Sequence, residues 1–382
     1  MRPTIYKLAA DRKYEEIPLR VQSHPDDLRW TDRYGSTALH ILCQARAVDN
    51  DLLAAVEAIL RVAPDQVAQP NVATWSPLHF AVEKRLVWGG DRLTTALILR
   101  LIKACPAAVS VRTQSGFKTK TPFHIACEAD AEYIVLKTML TVNPALATEP
   151  YVKKDIYSVV ENPLQLLWKN HDHYSGNDCS QQQTKEKMAL LLKAAHYGTV
   201  QTPLPNKRSF RLLNAACSVR CPRDYFTRVL RQNLDQVGQP DENGLMPLYY
   251  CIINASPDSQ AYTQFVVQAL LEACPKSAAV PDPATGRVPL HVAVSDALMT
   301  WHKGGVRELT FACTDALRKR DPASQLVPFL ASGVAADKSR LHLSTTYELL
   351  LAAPEMVQFE RSVQDDRNSA RLLSERWTVV EE

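Results

Sequence analysis

The alternation of apolar and polar positions along the chain repeats about every forty residues. Four short segments carry the clearest copies: "GSTALHILC" (35–43), "WSPLHFAV" (75–82), "TKTPFHIAC" (119–127) and "RVPLHVAV" (287–294). Each follows a stretch rich in Asp, Asn or Gly, which are the residues of tight turns. Proline is tolerated in the first turn of a helix, where its missing N–H has no partner to lose. The pattern therefore predicts a turn followed by a short helix.

A second pattern keeps step with the first. Apolar runs such as "AILRVAP" and "LLEACP" end in a small residue and a proline. The proline precedes the next histidine by 15 residues from Pro64 to His79 and by 16 from Pro275 to His291. We expect a second, more apolar helix to end at each of these prolines. They are Pro25, Pro64, Pro106, Pro144, Pro275 and Pro354.

The histidine of each Leu-His or Phe-His pair marks one position of the repeat. Intact copies have His40, His79, His124 and His291 there, and degenerate copies have Gln165, Asn214, Tyr249 and Leu330. Successive markers lie 39, 45, 41, 49, 35, 42 and 39 residues apart. A helix pair of this size cannot bury its own apolar face, so each unit must stack on its neighbours. The histidines recur at one structural position, which predicts a scaffold role rather than catalysis.

The motifs "SPLH" (76–79), "TPFH" (121–124) and "PLHVA" (289–293) resemble the entry of the ankyrin repeat. The period here averages about 41, longer than the roughly 33 of that family. The stretch "ACPKSAAVPDPATGRVPLHVAV" is similar to the long-period ankyrin arrays of single-celled algae. HEAT repeats have a comparable period but lack the Gly-turn-Pro-Leu-His entry. The resemblance implies an all-α, ankyrin-like solenoid of about eight helix-loop-helix repeats with turn or hairpin fingers.

The two patterns also predict an organisation along the chain. We expect capping helices over 1–25, repeats one to four over 26–196, degenerate middle and C-terminal repeats over 197–360, and a charged tail or cap over 361–382. The polar stretch between Trp168 and Met188 is interpreted as a long loop. In the tail, "DRNSARLLSERWTVV" places Leu372, Leu373 and Trp377 on one side of a short amphipathic helix. That helix is either a cap over the last open core face or a docking peptide.

Composition restricts the class of protein. The 382 residues are 46% hydrophobic and 22% charged, with a net charge of +3. These values are typical of a folded chain and give no overall field that would attract nucleic acid or a membrane. No apolar run approaches the roughly 18 residues of a membrane helix. The N-terminus lacks the apolar core of a signal peptide, and most cysteines lie in apolar helical patterns. We expect a reducing compartment, cytoplasmic or nuclear, or an organelle if a leader has been removed.

Candidate chemistry is sparse. The nearest approach to a metal cluster is His171, Asp172 and His173 with Asp178 and Cys179; a weaker candidate is the pair Cys217 and Cys221. Neither has the spacing of a known closed metal site. Phosphate-binding loops, GxSxG and HExxH motifs are absent from the sequence. We therefore expect no enzyme activity, no metal and no cofactor.

The resemblance places partner binding on the turn tips and first helices. The tip residues expected to contact a protein partner are Arg33, Tyr34, Thr74, Trp75, Lys118, Lys120, Lys153, Lys154, Lys207 and Arg208. The aromatic pair Tyr34 and Trp75 would be its anchors, since aromatic residues dominate interface energetics. The basic residues form a stripe suited to an acidic protein segment. We predict a non-catalytic protein–protein interaction scaffold or adaptor, a subunit or assembly partner of a larger complex. The alternative is a regulator that binds a polyanion, nucleic acid or phospholipid, through the basic tips.

Overall fold

The structure is a computed structural model, and it describes residues 4–88, 92–113, 119–153, 159–173, 178–200, 210–295, 299–336 and 341–356. Those residues fold almost wholly into helices, which confirms the all-α class. One antiparallel pair of short strands, β1 (Tyr151–Lys153) and β2 (Val159–Glu161), places Tyr151 opposite Glu161.

The chain divides into two compact units, residues 1–212 and 213–382. The helices of the N-terminal unit are α1 (Thr4–Ala10), α2 (Ile17–Ser23), α3 (Ala38–Gln44), α4 (Asn50–Val62), α5 (Pro77–Trp88), α6 (Arg92–Ala104), α7 (Pro122–Glu128), α8 (Tyr133–Val142), α9 (Pro163–His173) and α10 (Asp178–Tyr197). Those that follow are α11 (Leu212–Ser218), α12 (Arg223–Gln232), α13 (Leu234–Val237), α14 (Pro247–Ile253), α15 (Gln260–Ala273), α16 (Pro289–Ser295), α17 (Val306–Ala312), α18 (Pro328–Ala336) and α19 (Leu341–Ala352).

In the N-terminal unit the helices form two rows. The first helix of each pair packs on the first helix of the next, in the order α1, α3, α5, α7 and α9. The second helices pack in the order α2, α4, α6, α8 and α10. Between the rows lie fully buried side chains from both, among them Leu39, Leu52, Ile59, Leu78 and Leu97. Each pair therefore buries its apolar face against the pairs before and after it.

The C-terminal unit repeats this arrangement. First helices α14, α16 and α18 pack in succession, as do second helices α12, α15 and α17. The last described helix, α19, packs against α18. Phe226, Tyr249 and Leu270 are among the buried core residues of this unit.

Second helices end where the prolines predict. In α4, α6, α8 and α15 the last helical residue stands two positions before the proline. The intervening residue leaves helical geometry, with φ of −138° at Ala63 and −149° at Cys274, because the proline ring disfavours the helical conformation in the residue before it. A 3-10 turn then begins at each proline, as at Pro64–Ala68 and Pro275–Ala279.

The predicted long loop between Trp168 and Met188 is wrong for its described residues. Helix α9 continues to His173, and α10 begins at Asp178. The sequence "QQQTKEKM" is polar, yet Gln, Lys, Glu and Met all have high helix propensity. The end of a helix can form from such residues without an apolar face. Polarity alone was a poor guide to loop structure there.

Candidate protein-binding surface and the ladder that positions it

The marker histidines cap their own helix and reach the next unit at the same time. At His79, the Ser76 N–H donates to Nδ1 at 3.1 Å and the Ser76 hydroxyl lies 2.7 Å from the same nitrogen. The other ring nitrogen, Nε2, lies 3.3 Å from the Lys120 carbonyl oxygen, 41 residues further along. One side chain thus satisfies a helix-end N–H and ties two consecutive units together.

The other three histidines repeat this geometry. Nδ1 accepts from the backbone N–H three residues earlier, at 3.0 Å in His40, 3.2 Å in His124 and 3.4 Å in His291. Nε2 reaches a carbonyl oxygen of the following unit, that of Trp75 from His40 at 3.1 Å, Glu149 from His124 at 2.9 Å and Lys319 from His291 at 3.0 Å. We call these four side chains and their bonds the histidine ladder.

The ladder fixes the protonation state of its members. Nδ1 accepts from an N–H and Nε2 faces a carbonyl, so the ring must be neutral with its proton on Nε2. Burial lowers the pKa of His40, His79 and His124 to about 4, and it lowers the pKa of His291 as well. These rings are neutral at pH 7, and both nitrogens are engaged in structural hydrogen bonds.

Degenerate markers take over parts of the same task. Gln165 accepts from the Asn162 N–H at 3.0 Å, which reproduces the helix cap. The hydroxyl of Tyr249 has one proton to donate and lies 2.8 Å from the Val280 carbonyl oxygen and 2.6 Å from that of Arg287, which reproduces the tie to the next unit. Gln165 and Tyr249 therefore each keep one of the two hydrogen-bonding roles of the histidine.

Asn214 departs from this rule. It is buried at its marker position, and neither amide atom has a hydrogen-bond partner within the part of the chain that the structure describes. The Arg211 N–H three residues earlier, which the marker would cap, donates to the Tyr197 hydroxyl at 3.4 Å instead. The asparagine side chain is shorter than histidine, and the neighbouring tyrosine does its capping.

Tight turns carry the fingers between units. In the first, Asp32 accepts from the N–H groups of Tyr34 and Ser36, both at 2.8 Å, and Gly35 has φ of +72°. Asn71 anchors the second finger through the Trp75 N–H at 3.0 Å. The carboxylate or amide holds a left-handed turn that exposes the residues between its two ends.

The tips of these first two fingers meet. The Val72 N–H donates to the Tyr34 carbonyl at 2.8 Å. Their side chains are exposed, 54% for Tyr34 and 73% for Val72, and the Arg33 guanidinium lies 4.7 Å from the Tyr34 ring centroid. We call these three residues the tip patch. It offers an aromatic ring, an aliphatic side chain and a cation on one exposed surface.

The other predicted anchor is less exposed. The Trp75 ring is half-buried against His79 and Phe80, with ring centroids 5.7 and 5.1 Å apart. Thr74 beside it is half-buried with φ of +63°. Both residues of this second pair are half-buried, so they expose less surface to a partner than the tip patch does.

The basic stripe loses one member. The Lys120 ammonium lies 2.5 Å from both carboxylate oxygens of Glu128 and 4.9 Å from the Tyr151 ring centroid. Its charge is neutralised inside the unit, so the expectation of an exposed cation there is corrected. Lys118, Lys154, Lys207 and Arg208 lie outside the described residues, and Lys153 ends β1.

Arg287, which the turn pattern would also place at a tip, points inward. Its Nε donates to Asp321 at 2.9 Å, and a terminal nitrogen donates to the His291 carbonyl at 3.0 Å. The carboxylate of Asp321 is 2% exposed and also accepts from the Ala323 N–H at 3.2 Å. This buried ion pair ties the finger before α16 to the finger before α18.

The candidate metal and thiol residues are not assembled into a centre among the described positions. No group of three or more His, Cys, Asp and Glu side chains converges there. The side chains of 171–173, 178 and 179 lie outside the described residues. Cys217 and Cys221 are buried, and burial raises the pKa of both thiols, that of Cys221 to about 12. Such thiols are protonated and poorly reactive.

The chain matches no protein-family model, and no curated protein matches it. Of the helices that the structure describes, none is long and apolar enough to cross a membrane. The functional argument therefore depends on the chain's own residues.

Two features of this surface were missed by sequence reasoning. Val72 was not among the predicted tip residues, although it follows the turn residue Asn71 directly and its exposure could have been expected. The pairing of Lys120 with Glu128 joins a turn to the end of the helix that follows it, eight residues later. Sequence spacing gives no signal for that contact, because it depends on the angle at which the turn meets the helix.

Proposed function

We propose that this protein is a non-catalytic, ankyrin-like solenoid that acts as a protein–protein interaction scaffold or adaptor. The observation that carries the proposal is the histidine ladder. A capping side chain that also bonds to the next unit is the kind of device a stack of repeats needs, because each unit depends on its neighbours for stability.

The ladder also bears on chemistry. The histidines are the most suggestive side chains for acid–base work, yet their ring nitrogens are engaged in structural bonds and burial keeps them neutral. What the N-terminal unit offers to other molecules is its exposed tips. A ring, an aliphatic side chain and a cation at the tip patch fit the composition of protein-binding hot spots, which are enriched in aromatic residues and arginine.

A matched pair of variants tests this function. Val72 and Leu19 are equally exposed, at 73% and 72%, but Leu19 lies on α2 and away from the tip patch. Tagged wild-type protein, Val72→Asp and Leu19→Asp would be purified from the native cells at low and high salt, and bound proteins quantified by mass spectrometry. We expect one stoichiometric protein that survives high salt, is reduced at least about tenfold by Val72→Asp and is unaffected by Leu19→Asp.

Two results would contradict the scaffold proposal. Equal loss with both variants would mean that the tip patch is not the binding surface. Recovery of nucleic acid or phospholipid alone, lost at high salt, would favour the polyanion-binding alternative, because such binding depends on release of counterions.

A further inference from the structure

The last described helix carries an exposed apolar stripe. Leu343, Tyr347 and Leu351 of α19 are spaced four residues apart, which places them on one side of the helix. They are 62%, 60% and 56% exposed. We call these three side chains the α19 stripe.

Matched positions in other second helices are mostly polar. Counted back from the proline that follows each helix, the stripe occupies positions three, seven and eleven. In α4 the first two of these are Arg61 and Glu57; in α15 all three are Glu272, Gln268 and Gln264. Helix α17 is followed by Thr314 where the others have a proline. Counted back from Thr314, the third-position residue Phe311 is exposed, but the Arg307 guanidinium lies 5.7 Å from its ring centroid. Only α19, among these helices, is apolar at every one of the three.

Contacts of the matched positions show which way the stripe faces. Glu57 of α4 accepts from Arg100 of α6 at 2.5 Å. Gln264 of α15 donates to Glu308 of α17 at 3.0 Å. In both cases the side chain at the matched position faces the second helix of the next unit. The α19 stripe therefore faces the place where one more helix would pack.

The chain itself supplies a segment of suitable length and pattern. Twenty-six residues follow Met356, and they begin five residues after the end of α19. They include 366–380, in which Leu372, Leu373 and Trp377 share one side at helical spacing. A helix of fifteen residues is about 22 Å long, enough to cover the roughly 18 Å of α19. A tethered segment is also present at an effective concentration of about millimolar, which favours it over a separate partner.

We propose that residues 366–380 dock on the α19 stripe and close the C-terminal unit, with Leu372, Leu373 and Trp377 against Leu343, Tyr347 and Leu351. This contact is intramolecular and independent of the protein-binding role of the tips. In this arrangement, residues 366–380 occupy the place that the second helix of a following unit would take.

Hydrogen–deuterium exchange on the full chain tests the docking. In wild-type protein, peptides from 366–380 are expected to exchange at least about tenfold more slowly than an unstructured chain. Tyr347→Glu should bring them to within about threefold of the unstructured rate. Peptides from α16 should keep their protection, which separates loss of docking from loss of folding. Ala352→Glu is the matched control, because it adds the same charge to an exposed site of α19 on the side of the helix away from the stripe.

Three outcomes would overturn the proposal. Unprotected 366–380 in the wild type would mean that the segment does not dock. Protection that survives Tyr347→Glu would place it elsewhere. Protection that appears only at high protein concentration, together with a dimer mass by light scattering, would make a second copy the occupant of the stripe.

Discussion

The N-terminal and C-terminal units join their helix pairs with different chemistry. In residues 1–212, neutral buried histidines at positions 40, 79 and 124 tie one unit to the next. In residues 213–382, the corresponding ties come from Tyr249, from one histidine at 291 and from the buried pair of Arg287 and Asp321. The same helix stacking is therefore compatible with several side chains, and the two units should differ in what disrupts them.

Acid should have the largest effect, and mainly on the N-terminal unit. Each of its three ladder histidines has a pKa of about 4 when folded, against 6.5 when exposed. Because the folded pKa is depressed, the unfolded chain binds more protons. The stabilisation is complete above about pH 6.5 and is lost as pH falls towards 4, by up to about 3 kcal/mol per histidine.

Exchange protection measured unit by unit between pH 7.5 and 4.5, corrected for intrinsic rates, would show this. Protection of α3, α5 and α7 should fall faster than that of α14 and α15. His79→Gln should reduce the number of protons taken up on unfolding by about one, and so make stability less dependent on pH. Glutamine is a suitable replacement because Gln165 already caps a helix in this way. Equal acid sensitivity of the two units would contradict the comparison.

Removal of the buried carboxylate should have the next largest effect, on the C-terminal unit. Asp321→Ala leaves Arg287 buried without its partner, and such changes cost about 3–5 kcal/mol. Glu57→Ala is the control, because its pair with Arg100 is more than a third exposed and such pairs contribute about 1 kcal/mol or less. Urea unfolding of both variants would measure the difference. A loss no larger for Asp321→Ala than for Glu57→Ala would mean that the buried pair is not a tie between fingers.

A smaller loss is expected from Tyr249→Phe. The hydroxyl lies within hydrogen-bond distance of two carbonyl oxygens of the following finger, so its removal should lower the free energy of unfolding by about 1–2 kcal/mol. The control is Tyr34→Phe, because the Tyr34 ring is exposed at a tip. That substitution should change the free energy of unfolding by less than about 0.5 kcal/mol. Urea unfolding again provides the values, and equal effects would argue against a ladder role for Tyr249.

The smallest effect should be a gain. Asn214 buries an amide that has no partner among the described residues, so Asn214→Leu removes a desolvated polar group while keeping the same branched arrangement of heavy atoms. We expect stability to rise by about 1 kcal/mol, opposite in sign to the other marker changes. A loss of stability in a urea titration would show that the amide is bonded in solution.

Much of this architecture could be predicted from the sequence because it depends on local signals. Where a proline follows a second helix, as after α4, α6, α8 and α15, it fixes where that helix ends. The Ser or Thr three residues before His40, His79 and His124 fixes where the first helix begins. Both act through neighbouring backbone, so spacing alone revealed them. The C-terminal end of α9 and the N-terminal end of α10 were missed because both are polar. A polar helix end without an apolar face cannot be distinguished from a polar loop by its pattern of residues.

The candidate surface was less accessible to sequence reasoning. Tyr34 was predicted at a tip and is exposed there, since a turn held by Asp32 must project its central residues. Lys120 and Arg287 were expected at tips too, yet both turn inward onto carboxylates that lie 8 and 34 residues away. Whether a charged side chain in a stacked array is exposed depends on which residues of a neighbouring helix or finger lie close to it. The linear sequence does not give the distance between those residues.

The most direct test of the account concerns the histidine ladder itself. Nitrogen chemical shifts of the imidazole rings, recorded on histidine-labelled protein from pH 7.5 to 5, report the tautomer and charge of each ring. The account predicts that His40, His79, His124 and His291 remain neutral with the proton on Nε2, and that His40, His79 and His124 stay so down to about pH 5. Rings that carry the proton on Nδ1, or that gain a proton near pH 6.5, would contradict it.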